Sequence, residues 1–163
     1  MNEFFQRVHA EFPQSESRML GYDESELRKL ERLYDIAIDG DLKAFLLKAG
    51  RSDGGVIGDD PVVLYRSAWS VRAHILFQIN FIESLQEVSA WEHLQKPFVV
   101  SLESETQYYF LKTGSSNGSR IYRFDENAGC VSDTGLSLSC YLSDVMDRYE
   151  LGRIVCVGEM LRV

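Results

Sequence analysis

Between Asn2 and Phe12 the apolar residues Phe4, Phe5, Val8 and Phe12 recur at helical spacing, which predicts a short amphipathic helix. Pro13 is expected to stop it, leaving Gln14 to Arg18 as a polar loop. The aromatic stripe either docks on the rest of the domain or faces a partner, and docking is the expectation because a wet stripe is costly. A second helix starts at Asp23, which caps the first turn while Glu26 reaches back to complete a capping box. Leu27, Leu30, Leu33 and Tyr34 form its inner side. Asp39-Gly40-Asp41 opens a third helix with Leu42, Phe45, Leu46 and Ala49 inward, and Gly50 is expected to close it in the left-handed conformation.

Arg51 to Asp60 reads as a loop rich in Gly and Asp, and Pro61 to Tyr65 as a short apolar strand. The longest periodic segment starts at Ser67. Trp69, Val71, Ala73, Leu76, Phe77, Ile79, Asn80, Phe81 and Leu85 make it apolar on most sides, which predicts a largely buried helix. After Lys96-Pro97 the period becomes that of extended chain. Phe98 to Leu102, Thr106 to Lys112 and Arg120 to Phe124 are rich in Val, Tyr, Phe and Ile and are joined by short polar turns, so they form an antiparallel meander. Cys130 to Ser132 adds a brief strand. Ser137 or Ser139 caps a last helix with Leu138, Tyr141, Leu142, Val145 and Met146 inward, and Arg153 to Val157 is either a strand or an extension of that helix.

Helices, one strand, a helix, a run of strands and a final helix give an α+β fold, an antiparallel sheet with helices packed against it. No repeat or linker interrupts the chain. The expected organisation is one domain over 1–163: an N-terminal helix and loop (1–18), a core (19–150) and a C-terminal extension (151–163). Hydrophobic residues make up 45% and charged residues 26%, an ordinary globular balance. The first dozen residues lack the pattern of a signal peptide and no apolar run has membrane-spanning length, so the expected location is the cytoplasm. Cys130, Cys140 and Cys156 are then reduced thiols, read as buried small hydrophobes.

A net charge of −8 argues against a nucleic-acid partner, which needs a basic footprint, and fits an encounter with something basic. Gly114-Ser115-Ser116-Asn117-Gly118 matches the nucleophile elbow of hydrolases, with Ser116 as its serine. A strand follows it where a helix is required, and no histidine lies beyond His93, so the segment reads as a hairpin turn. Phosphate-loop and dinucleotide motifs are absent, and the scattered histidines predict neither metal nor cofactor. The acidic pairs Asp59-Asp60, Glu103 with Glu105, and Asp125-Glu126 fall in loops or at strand ends. They read as solvated acids or as a docking rim before they read as a catalytic pair. Aromatic residues concentrate in the meander. Tyr109 points opposite to Tyr108 and Phe110, and one of the two sets is open to a partner unless helices cover both faces.

The stretch Glu26-Leu27-Arg28-Lys29-Leu30-Glu31-Arg32-Leu33, then Ile38-Asp39-Gly40-Asp41-Leu42-Lys43-Ala44-Phe45-Leu46-Leu47-Lys48-Ala49-Gly50, resembles the SUKH superfamily. Its members include fungal cell-wall regulators and many bacterial immunity proteins. The later strands and the closing helix Ser137 to Val145 follow the same order, so the resemblance covers about Asp23 to Arg148. The chain departs from the pattern at Asp39 in place of proline, at Leu42 in place of a frequent tyrosine, and at Ser104-Glu105 in place of glycine-aspartate.

The resemblance implies a non-catalytic immunity protein that neutralises a cognate toxin of interbacterial competition by stoichiometric binding. The expected partner is a basic protein toxin such as a nuclease or deaminase; the alternatives are a regulatory scaffold or effector-loading adaptor and, further off, a hydrolase using Ser116. Loop position and chemistry put the contact surface at Asp53, Asp59, Asp60, Glu103, Glu105, Asp125 and Glu126, with Tyr109 and Tyr122 as aromatic anchors.

Overall fold

The computed structural model describes residues 1–149 and 154–163, and its first helix, α1 (Asn2–Glu11), buries Phe4 and Val8 in the core. Its apolar stripe docks on the domain, and on the outer side Arg7 pairs with Glu11 and Asp147. Pro13 ends α1 but also opens a single helical turn, α2 (Pro13–Glu16), where a loop was expected. Proline suits the first helical position because its missing N–H has no intrahelical partner to lose. A two-residue pairing of β1 (Met19–Leu20) with β2 (Ser52–Asp53) then ties the start of the core to the segment that follows Gly50.

The capping box of α3 (Glu24–Tyr34) is complete: Asp23 Oδ1 accepts from the N–H of Ser25 and Glu26, and Glu26 Oε2 accepts from the Asp23 N–H at 2.9 Å. Leu42, Phe45, Leu46 and Ala49 of α4 (Gly40–Ala49) are all buried. Gly50 departs from the expectation, with φ −65° in the right-handed region. It is glycine because of crowding: a Cβ there would lie 2.6 Å from the Leu46 carbonyl oxygen and 2.7 Å from the Tyr22 ring. Pro61 to Tyr65 is also different from the expected strand. Only Val62 pairs, with Ser101, and Val63–Tyr65 is a buried 3-10 turn.

The long helix α5 (Val71–Glu87) is capped by Ser70 rather than starting at Ser67. It is not buried on most sides. Its core face carries His74, Gln78, Phe81 and Leu85, while Leu76 and Ile79 are 48% and 43% exposed. Gln78 holds an inner position because the sheet offers it partners. The Gln78 amide donates to the Val99 carbonyl at 3.0 Å and accepts from the Val99 N–H at 2.9 Å, closing the edge strand as a neighbouring strand would.

The meander is β3 (Pro97–Glu103), β4 (Gln107–Lys112), β5 (Arg120–Asp125) and β6 (Cys130–Ser137), each antiparallel to the next. The last strand is longer than its sequence suggested. Helix α6 (Leu138–Arg148) follows directly, with Ser137 as its cap, and buries Leu138, Tyr141, Leu142, Val145 and Met146. Both faces of the sheet are covered. Phe81 of α5 lies 4.9 Å from the Phe110 ring and 5.3 Å from Tyr108, while Tyr141 of α6 stacks on Tyr109 at 4.9 Å on the other face.

Arg153 lies outside the described residues, and Ile154 to Val157 are neither strand nor helix. The tail runs on as a strap. Gly158 N–H donates to the Arg51 carbonyl, Met160 N–H donates to the Tyr22 hydroxyl at 2.9 Å, and Tyr34 donates to the Met160 carbonyl at 2.8 Å. The cysteines correct another expectation: Cys130 and Cys140 are exposed, Cys156 is half-buried, and all three are free thiols.

Candidate protein-binding site

The acidic residues singled out in the sequence divide by burial. Asp53 is fully buried and belongs to no surface. Its Oδ1 accepts from the N–H groups of Gly55 and Val56 at 2.8 and 3.2 Å, and its Oδ2 from those of Ile57 and Gly58 at 2.7 and 2.9 Å. Successive amides can converge on one carboxylate because Gly54, Gly55 and Gly58 have positive φ of 71°, 87° and 92°. The carboxylate takes the place of a bound anion in this nest and holds the loop shut. An aspartate followed by Gly-Gly-x-x-Gly is the local signal for such a wrap.

Glu103 is also internal, 9% exposed at the end of β3. It receives both terminal nitrogens of Arg148, with Nη2 at 3.0 Å, and accepts from the Tyr141 hydroxyl at 2.9 Å. Tyr141 also lies 2.7 Å from the Ser101 hydroxyl. Burial, with the Glu103 charge beside it, pushes the Tyr141 phenol well above its usual range, so it stays a donor at all physiological pH.

The remaining acids stay at the surface, and three of them gather at one end of the sheet. Glu105 sits exposed in the β3–β4 turn, Asp125 ends β5 and Glu126 begins the β5–β6 turn. Their proximity follows from the register: Glu103 opposes Gln107, Gln107 opposes Asp125, and Glu126 N–H donates to the Thr106 carbonyl at 3.0 Å. Gln107 and the Ala128 N–H hold the Asp125 carboxyl below its ordinary range, keeping it charged. Asp60 is exposed and precedes Pro61, whose carbonyl accepts from the Leu102 N–H at 2.9 Å, so it too lies toward the Glu103 end of β3. Asp59 is half-buried beside the Cys156 thiol, and Asp59 and Asp60 line a cleft of about 340 Å³ with Arg66 and Trp69.

Ser104 and Glu105 both occupy the left-handed region, with φ 52° and 61°. Non-glycine residues there carry strain of order 1 kcal/mol or more each, which in many proteins marks a functional turn. Farther along the strands from this tip, past the Gln107–Asp125 and Tyr108–Phe124 pairs, a cleft of about 370 Å³ opens on the α6 face, lined by Tyr109, Arg123, Ser132, Asp144 and Arg148 among others. Tyr109 is half-buried there and faces Arg123 in register across β4 and β5. Sequence reasoning did not single out Arg123 or Arg148. Alternation along β5 puts Arg123 on the face of Tyr109 only once the register is known.

Tyr122 stands apart from this end. It packs on the α5 face against His93 at 5.5 Å, with the Lys112 ammonium 4.4 Å from its ring centre. Ser116 is exposed in the loop between β4 and β5, and no hydrogen bond joins it to a histidine among the described residues. Its neighbour Ser115 donates to the Lys112 carbonyl, as a turn serine does. Among the described residues no three His, Cys, Asp or Glu side chains converge as a metal site requires, and no helix is long and apolar enough to cross a membrane. No protein-family model, curated protein or solved structure matches this chain.

Proposed function

We propose that this domain acts by binding another protein, and that its role is to neutralise a cognate toxin or effector in the cytoplasm, as the resemblance to the SUKH superfamily implies. The observation that supports this reading is the acidic end of the sheet, where Glu105, Asp125 and Glu126 gather around a strained, exposed turn, with an aromatic cleft farther along the strands. Such an end suits a basic partner. Exposed carboxylates raise the encounter rate and disfavour acidic competitors, while a half-buried ring such as Tyr109 supplies apolar contact once water is displaced. Binding there blocks a toxin by covering its active cleft, with no chemistry required of the chain itself.

Affinity capture from the native strain, followed by mass spectrometry, tests the reading. The expected result is a stoichiometric basic protein whose toxicity in cells is relieved by co-expression of this chain. Charge reversal through Glu105→Lys with Glu126→Lys should weaken capture at least tenfold, and added salt should weaken it further. Capture unaffected by those substitutions moves the interface elsewhere. A captured protein that is not inhibited supports an adaptor role instead.

A further inference from the structure

Helix α5 was expected to be buried on most of its circumference, yet four aliphatic residues on it belong to no core. Leu76 and Ile79 are 48% and 43% exposed, and Ile75 and Ile82 are half-buried but stand outside the packed cluster. At about 100° per residue Leu76 and Ile79 lie opposite the inward line of His74, Gln78, Phe81 and Leu85, and Ile75 and Ile82 stand on the flank between the two. Arg72 precedes Leu76 by four residues, and Glu83 follows Ile79 by four. Both are exposed, and neither has an ion-pair partner among the described residues.

The stripe is therefore self-complementary. Its charges stand at equal distances on either side of an apolar centre, cation first and anion last. A two-fold axis passing midway between Leu76 and Ile79 lays two such helices antiparallel. Leu76 then meets the partner's Ile79, and Arg72 meets the partner's Glu83, each contact occurring twice. Closed symmetric pairs of this kind use the same patch on both subunits, and branched aliphatics between antiparallel helices pack ridges into grooves. We infer that the outer face of α5 is a homodimer interface, formed by antiparallel pairing of α5 with its copy. The inference does not depend on the proposed function, and the acidic turns are no part of this interface.

Sedimentation velocity tests it on the full chain, from about 1 μM to about 1 mM, the range in which an interface at the small end of the usual size classes dissociates. Because a net charge of −8 opposes association at long range, ionic strength is held fixed. The expected result is a reversible monomer–dimer shift that Leu76→Asp abolishes. Arg72→Glu alone and Glu83→Arg alone should each weaken dimerisation about fivefold or more, since both set like charges against each other twice over. Arg72→Glu combined with Glu83→Arg should restore it.

Recovery in the exchanged pair distinguishes this antiparallel register from any other apolar contact. These two positions are exposed, and circular dichroism confirms that each variant is folded. A chain that stays monomeric throughout the range, a dimer indifferent to Leu76→Asp, or failure of the exchanged pair to recover overturns the proposal. So does finding the stripe occupied by a different protein while this chain stays monomeric.

Discussion

On one face of the sheet, α5 lays Phe77 and Phe81 onto Tyr108, Phe110 and Phe124 in a continuous aromatic stack. On the other, α6 sets Tyr141 against Tyr109 and links it to Ser101, Glu103 and Arg148. The first face is closed by dispersion and area, terms that fall gradually as contacts are lost. The second is closed by a polar set in which each member satisfies another, so losing one strands the rest. The polar set also leaves that face partly open. Arg148 and Tyr109 line a solvent cleft, and the proposed partner surface begins there. Both helices also use the other device, α5 through Gln78 on Val99 and α6 through Leu138, Leu142, Val145 and Met146, so the contrast lies in the sheet-facing rings and polar set and not in the whole faces.

The largest effect expected from breaking this contrast is at Phe81. Phe81→Ala removes the ring common to three contacts and should cost about 3–5 kcal/mol in denaturant unfolding. A loss under about 1 kcal/mol would mean that the stack is not cohesive. Next comes the acid limb. Burial, with the Arg66 charge adding to it, lowers His74 to about 4. The unfolded chain takes up that proton near its ordinary value of about 6.5, so the unfolded state binds more protons between the two values. Stability therefore falls as pH drops from about 6.5 to about 4, by on the order of 3 kcal/mol in all. His74→Leu should flatten that part of the curve and change little at neutral pH, because the buried Nε2 has no partner to lose among the described residues. Equal acid limbs in the two proteins would show that His74 is not the group responsible.

A smaller loss is expected on the polar face. Tyr141→Phe keeps the ring stacked on Tyr109 but removes the hydroxyl shared by Ser101 and Glu103, at about 1–2 kcal/mol. A neutral result there would show that water replaces the hydroxyl at no cost. The smallest effect carries the opposite sign. Ser104→Asn with Glu105→Gly gives the β3–β4 turn residues that accept positive φ, and should stabilise the fold by up to about 1 kcal/mol. The same pair should weaken capture of the partner, since it removes a rim charge. Stabilisation with capture unchanged would detach the strained turn from binding.

Elements set by neighbours in the chain were legible in the sequence. The Asp23–Glu26 capping box, the inward residues of α4 and α6 and the meander itself all depend on spacing within a few residues. Legibility failed where a distant partner chose among local options. Nothing within α5 prefers Gln78 over Ile79 as an inward residue; the unpaired backbone of Val99 decides it. Gly50 looked like a left-handed cap, but a Cβ there is refused by the Leu46 carbonyl oxygen together with the Tyr22 ring, and the ring is distant in sequence.

At the candidate site, the acidic turns could be read from composition and position. Withdrawal of Asp53 had a local signal in the Gly-Gly-x-x-Gly that follows it, whereas that of Glu103 had none, because Arg148 reaches it only across the folded sheet. The pairing of Tyr109 with Arg123 likewise required the register.

The strap brings Met160 back to Tyr22 across 138 residues of contour, and it is tied there by the hydrogen bonds of Gly158 and Met160, by the Glu159–Arg51 ion pair and by the buried Met160 side chain. Contacts so far apart in sequence reward the chain late, after the intervening segments have taken up their places. Such contacts make the strap a latch that is expected to lock late during folding and to lift before the sheet does. Tyr22 and Tyr34 both hang on it, so α3 shares its fate. Under native conditions the amide protons of Gly158 and Met160 should exchange with solvent sooner than those of the β4–β5 ladder, with release of the α3 end accompanying each opening.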